Sequence, residues 1–354
     1  MTDNTARSGS PLGRRSFLFA MAGVAPAFLS ACAGSGANAG PKAEQGAFPV
    51  TLAHAFGSTT LTTAPQRIAT LGYASHDVCI ELGVLPVGVP QYELRGFGTS
   101  LWFNKAVTEM NAAMPQQYRD VDRPPYEQLE QLKPDLILAV NSDITREQYQ
   151  RLNEIAPVVA YPKAPLNTDW RTTTTMVGSA LGQPKRAADL VASVEQGIAK
   201  AKASYSGLEG STFVYLAASQ APGADFEVYD ADSNQARILR DFGVSPSPAL
   251  GVVSGAGNRK TNKTDAGSWL WDSRRAAELQ ADIDVVAVSG DKDAMVKSGV
   301  LDSLPGAKRN ALVLLKTSDD ALALVEASPL AVKWATRTVL PELARASYET
   351  KKGN

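Results

Sequence analysis

Residues 66 to 90 read QRIATLGYASHDVCIELGVLPVGVP. Two short apolar runs, one in QRIATLG and one in LPVGVP, are rich in β-branched residues and bounded by Gly or Pro. They flank SHDVCIELG, whose apolar positions recur at helical spacing. The stretch therefore predicts a strand, a helix and a second strand, the unit from which parallel sheets are built. The idea returns in YEQLEQLKPDLILAV (126–140), where a leucine-spaced helix breaks at Pro134 before a strand from Leu136 to Val140. REQYQRLNEIAPVVAYP (146–162) is again a helix running into a strand. Strands alternating with helices imply a mainly parallel sheet covered on both faces.

From Pro184 the pattern changes. PKRAADLVASVEQGIAKAKASYSG carries no strand signal, has Pro at a helix start and Gly207 at a helix end, and predicts one long helix over 184–207. Alternation then resumes through STFVYLAAS, FEVYD, SNQARILRDFGV, AAELQADIDVVAV and RNALVLL, closing on the helical SPLAVKWATRTVLPELARA. A weak repeat links the halves: EQLEQLKPDLILAV is echoed by RRAAELQADIDVVAV, with Leu132, Pro134 and Asp135 opposite Leu279, Ala281 and Asp282. The fold class expected is α/β, two Rossmann-like lobes with mainly parallel sheets (48–183 and 208–354) joined by one long α-helix.

The first 47 residues are of another kind. GRRSFLFAMAGVAPAFLSACAG (13–34) pairs Arg14 and Arg15 with an apolar run, Phe17 to Leu29, too short for the ~20 residues a membrane span needs. RRSFL resembles a twin-arginine export motif and LSAC a lipobox, so residues 1–31 read as a signal peptide and Cys32 as the lipid-bearing residue. Residues 32–47, rich in Gly, Ala and Ser, read as a flexible tether. Cys79 is then the sole thiol, which excludes an internal disulfide.

Composition narrows the classes further. The 354 residues are 44% hydrophobic and 20% charged with a formal net charge of -1, which argues against a nucleic-acid partner. Two histidines, His54 and His76, make a multi-histidine metal site hard to build. No GxSxG, Walker loop or GxGxxG occurs, and GAGNRK follows no clear strand. His76, Asp77 and Cys79 lie within four residues at one helix start, where neighbours at i and i+1 do not face one another, and a Cys-His dyad is poorly supported. A secreted hydrolase is thus the weaker reading, and no enzyme is expected.

In open α/β sheets ligands sit outside the carboxyl ends of strands. Tyr73 and His76 follow the first strand. QYELRGFGTSLWF (91–103) follows the second and concentrates Tyr92, Arg95, Phe97, Trp102 and Phe103. Aromatic faces suit an apolar ligand rim, and Arg95 offers a rigid fork of donors to oxyanions. Tyr229 and the basic group Arg259, Lys260 and Lys263 are weaker candidates from the second half.

Four stretches, APQRIATLGYASHDVCIELGVLPVGV, YEQLEQLKPDLILAV, YQRLNEIAPVV and MVGSALG, resemble successive signatures of the iron-siderophore substrate-binding lipoproteins of ABC importers. These belong to the helix-linked periplasmic-binding-protein class, which also serves cobalamin and haem. The resemblance runs from about Pro65 to Ala346 and thins over 251–264. It implies a monomeric receptor, lipid-anchored on the extracytoplasmic face of the membrane. The receptor would carry a ferric siderophore in a shallow inter-lobe cleft, deliver it to permease subunits and use no cofactor. It also puts Tyr73 at a ligand-contact position and Glu127 at a permease-docking position. The corresponding glutamate of the second lobe is missing; Arg274 or Arg275 stands there, with Asp272 or Glu278 as substitutes. Haem, with Tyr73 or His76 as iron ligand, is the alternative within the same class.

Overall fold

The computed structural model describes residues 42–93, 96–205, 207–219, 225–255 and 267–352. Strands β1 (Val50–His54) and β2 (Gly57–Leu61) form an antiparallel hairpin. A five-stranded sheet follows, made of β3 (Ile68–Thr70), β4 (Gly88–Pro90), β5 (Gln116–Tyr118), β6 (Leu136–Ala139) and β7 (Val158–Ala160). Its order is β5-β4-β3-β6-β7 and every pairing is parallel. Strand order therefore reverses between β3 and β6, and a crevice opens at such a switch point. Gly72 lies there with φ +68°, where a Cβ would stand 2.4 Å from the Asn141 carbonyl oxygen. Only glycine lets the β3 loop pass that close to the β6 loop.

The second sheet holds β8 (Thr212–Ser219), β9 (Phe226–Tyr229), β10 (Ser245–Pro246), β11 (Ser268–Trp271), β12 (Ile283–Ser289) and β13 (Leu312–Leu314). Its order is β11-β9-β8-β12-β13, with β10 beside the start of β8. β8, β10, β12 and β13 are parallel, whereas β9 and β11 pair antiparallel. The two sheets thus make an α/β fold with one all-parallel and one mixed sheet.

The echo in the sequence is structural. Asp135, just before β6, accepts the N–H groups of Gln66 and Arg67 at 2.7 and 2.8 Å, at the entrance to β3. Asp282, just before β12, accepts the N–H and hydroxyl of Thr212 at 2.7 and 2.8 Å, at the entrance to β8. Each aspartate satisfies backbone donors where two neighbouring parallel strands begin.

Helix Pro184–Lys202 joins the sheets. It stops short of Gly207, with Lys200 and Lys202 in its last turn, where cations complement the helix dipole. The tether also needs correction, because its described end is docked. The Glu44 carboxylate accepts from the N–H groups of Lys185 and Arg186 at 3.1 and 3.0 Å, capping the linking helix. The Glu44 N–H bonds to the Gly182 carbonyl at 2.7 Å. Residues 1–41, with the stretch read as an export signal and Cys32, lie outside the described residues. Among the described residues no helix is long and apolar enough to cross a membrane.

The largest core cluster crosses between the halves. It unites Ile80, Trp102, Phe103 and Trp170 of the first with Phe213, Phe242, Leu322 and Leu343 of the second. Polar ties reinforce it. Arg171 grips Asp241 with two bonds of 2.9 and 3.1 Å, and Lys333 reaches Glu81 at 2.8 and 2.9 Å. A junction packed like a domain interior resists hinge motion.

Candidate functional site

The carboxyl ends of the two parallel strand sets face one cleft of about 1230 Å³. The first sheet contributes Gly72 and Tyr73 after β3, Tyr92 after β4, Asp120 after β5 and Asp143 after β6. The second contributes Val288 and Lys292 near the end of β12 and Lys316 and Thr317 after β13. Thr317 caps helix Ser318–Glu326 through a reciprocal pair with Asp320, which aims the first turn of that helix at the cleft.

Tyr73 and Tyr92 stack there, ring centroids 5.3 Å apart and planes within 8°. The Tyr92 hydroxyl points away from the cleft, donating to Glu326 Oε1 at 2.9 Å with His76 Nε2 at 3.1 Å. Burial, with Asp120 and Glu326 nearby, drives the Tyr73 phenol pKa upward, so its hydroxyl stays protonated at neutral pH. Asp120 accepts from the Gly72 N–H at 2.7 Å, yet burial still pushes it up to about 6. Lys292 donates to the Leu315 carbonyl at 3.2 Å, and Lys316 pairs with Glu342 at 2.5 Å. The described wall therefore combines the two tyrosines and apolar side chains with five carboxylates, Glu93, Asp120, Asp122, Asp143 and Asp319, and with two lysines already partnered.

The structure redistributes the candidates. Tyr73 and Tyr92 line the cleft. Trp102 and Phe103 do not, and their assignment to the ligand is corrected: both are buried in the core between the halves. Trp102 Nε1 donates to Asp77 Oδ2 at 2.7 Å, and Phe103 meets His76 edge-on at 5.0 Å. Ser100 accepts from the Phe103 N–H and starts helix Leu101–Glu109, turning Leu101 outward into the cleft. The Ser N-cap ahead of a helically spaced apolar set (102, 103, 107) was the signal for this. Tyr229 stacks edge-on against Tyr215 at 5.1 Å and is not among the described lining residues. Arg95 lies outside the described residues, as do Arg259, Lys260 and Lys263.

His76 is fully buried with its Nε2 2.8 Å from Glu326 Oε1, so it does not reach a cleft ligand and the haem-ligand reading of it is corrected. His76, Asp77 and Glu326 form a buried group whose potential metal-binding atoms lie within 4.8 Å of one another. Cys79 is buried in a separate apolar cluster. Glu127 is exposed in the first turn of helix Tyr126–Leu132. In the matching place of the second half, Arg274 is bound to Asp272 and Arg275 to Glu278, each with a shortest contact of 2.7 Å.

Known proteins share this architecture. The ferrichrome complex of PiaA from Streptococcus pneumoniae TIGR4 matches with a TM-score of 0.73 and 27% identity, over 85% of this chain and 99% of that one. Staphylococcus aureus SirA, solved with staphyloferrin B, matches with a TM-score of 0.65 over 84% and 98%. At 22% identity it speaks for the fold alone. The putative ABC transporter substrate-binding lipoprotein YhfQ of Bacillus subtilis (strain 168) is 28% identical over 184 residues, 49% of this chain and 51% of the relative. That match spans about half the length of the curated relative. A family model described as periplasmic binding protein covers residues 68–246, from β3 through the linking helix to β10. With two α/β sheets, a joining helix and a cleft at their facing ends, the chain belongs to the periplasmic binding protein family.

Proposed function

We propose that the chain is a receptor of an ABC importer that holds a ferric siderophore in the cleft between its two sheets. The stacked Tyr73 and Tyr92 on the cleft floor carry this reading. They offer a flat apolar seat with no charge on its face, suited to the organic shell around a chelated iron rather than to the bare ion. The volume, about 1230 Å³, is large for a simple metal or amino acid. The likeness to PiaA, whose solved structure contains ferrichrome, supports the same class of ligand.

Two further elements belong to the proposal. Lipidation at Cys32 would hold the receptor on the extracytoplasmic face of the membrane, because two acyl chains anchor stably where one does not. Exposed Glu127 would meet a basic residue of the permease, and the ion-paired Arg274 and Arg275 make the second half a different kind of contact.

The test is a fluorescence titration of the mature domain with ferrichrome, a ferric catecholate, haemin and cobalamin. Ferrichrome or the catecholate is expected to bind one to one at or below about 1 μM. Binding of haemin or cobalamin alone would replace the siderophore reading.

A further inference from the structure

Behind the cleft floor lies a buried polar group joining both halves of the molecule. His76 and Asp77 open helix Ser75–Glu81 of the first half. Glu326 closes helix Ser318–Glu326 of the second, and Ser328 caps the next helix, Pro329–Thr338. His76, Asp77, Glu326 and Ser328 are all fully buried. Ser328 donates its hydroxyl to Asp77 Oδ2, which also takes the Trp102 indole N–H. Glu326 Oε1 takes the Tyr92 hydroxyl at 2.9 Å and lies 2.8 Å from His76 Nε2. Such a group is costly to bury, since His76 Nδ1 and Asp77 Oδ1 have no hydrogen-bond partner among the described residues. An apolar contact would fill the same junction at lower cost, so the arrangement calls for a role beyond cohesion.

Geometry supplies one. Tyr92 belongs to two sites: the residue lines the cleft with its ring stacked on Tyr73, and its hydroxyl is fixed inside the buried group. Tyr73 lies parallel on that ring, so the attitude of the whole floor follows from where the Tyr92 hydroxyl is held. The holder, Glu326, comes from the opposite half. It ends the helix whose first residues, Ser318 and Asp319, line the cleft's far wall. Nine residues of helix, roughly 13 Å, make a stiff strut from that wall to the Tyr92 hydroxyl.

We infer that Glu326 and His76 are positioning residues of the ligand seat: from the second half and from behind the floor, they set the Tyr92 ring and the Tyr73 ring stacked upon it. The far wall and the floor are thereby placed relative to one another by the same buried hydrogen bonds. The inference rests on the cleft being the ligand seat, and it assigns cleft geometry to residues that touch no ligand.

The test is a double-mutant cycle of Glu326→Ala and Tyr92→Phe, with Glu326→Gln as the conservative variant. Two properties are read: ferrichrome affinity, and the tyrosine near-ultraviolet circular dichroism of the ligand-free protein. Glu326→Ala is expected to weaken ferrichrome about tenfold and alter the tyrosine signal, the scale of one lost buried hydrogen bond. Glu326→Gln, which still accepts from Tyr92, should recover most of both. In the Tyr92→Phe background Glu326→Ala should add little, because the bond it acts through is already gone. Equal, additive losses in the two backgrounds would make Glu326 a structural residue only and overturn the inference. Stoichiometric metal in the purified protein, lost in Glu326→Ala, would also overturn it, converting the group into a metal centre. If the unmodified protein binds neither ferrichrome nor any other ferric siderophore, the ligand reading fails while the tyrosine signal still decides the coupling.

Discussion

Arg171 and Asp241 clasp the two halves of the molecule with two parallel N–H to carboxylate bonds, 2.9 and 3.1 Å long, while the Trp170 indole N–H adds a third contact to the same carboxylate at 3.1 Å. The pair is part-exposed, so solvent screening limits its strength. Asp241→Asn should lower stability by about 1 kcal/mol, read as a shift in urea midpoint with an unchanged slope. A changed slope or a second transition would mean that the halves unfold separately.

Stability should fall as pH rises above neutrality, and the buried carboxyls are the reason. Burial, augmented for Asp77 by the nearby Glu326, pushes Asp77 and Glu326 up to about 8. The folded chain then keeps protons that the unfolded chain has released well below pH 6.5. Stability contributed in this way is complete at acid pH and is lost as pH climbs toward the folded value. Burial lowers the His76 pKa, which acts in the opposite sense but only below its unfolded value of 6.5. Between pH 6.5 and 8 the carboxyls therefore dominate this group. Unfolding free energies across that window should decline, by up to about 1.4 kcal/mol per pH unit for each retained proton. Glu326→Gln should make the decline shallower. An identical slope in both proteins would contradict the assignment.

Neighbours on helix Leu101–Glu109 should behave oppositely. Phe103 is fully buried, so Phe103→Ala should cost about 3 to 5 kcal/mol. Leu101 is exposed at the cleft, so Leu101→Ala should leave the melting temperature nearly unchanged and weaken ligand binding. Thermal denaturation alongside ferrichrome titration separates the two, and the reverse pattern would return Phe103 to the ligand.

Glu44 caps the linking helix with two backbone bonds. Glu44→Ala should cost about 1 kcal/mol, measured by urea unfolding, and a loss near zero would mean that residues 44–47 belong to a free tether after all.

What could be read from the chain, and what could not, follows from distance and pattern. The β3 to β4 unit announced itself through apolar runs bounded by Gly and Pro, and the Asp135 and Asp282 positions marked the repeat because each aspartate acts on a strand entrance. Strand β5, Gln116–Tyr118, gave no such signal, for it is a short polar edge strand. The β1–β2 hairpin hid in alternating Thr, Ser and His. Tyr73 was found because it directly follows a strand that ends at the cleft. Glu326 was out of reach: its partner Tyr92 is 234 residues earlier, and no local pattern distinguishes it from a solvated helix terminus. Trp102 and Phe103 misled because aromatic density in a loop looks the same whether the rings face a ligand or a second lobe.

In the proposed function the tyrosine floor seats a ferric siderophore. The most direct measurement is the ferrichrome titration of the mature domain carrying either native Tyr73 or Tyr73→Ala, followed by tryptophan fluorescence. Saturable one-to-one binding is expected of the native chain and at least a tenfold weaker complex of Tyr73→Ala, with both proteins equally folded by circular dichroism. Equal affinity of the two proteins, or no binding by the native chain to ferrichrome or to any ferric siderophore tried in its place, would contradict it.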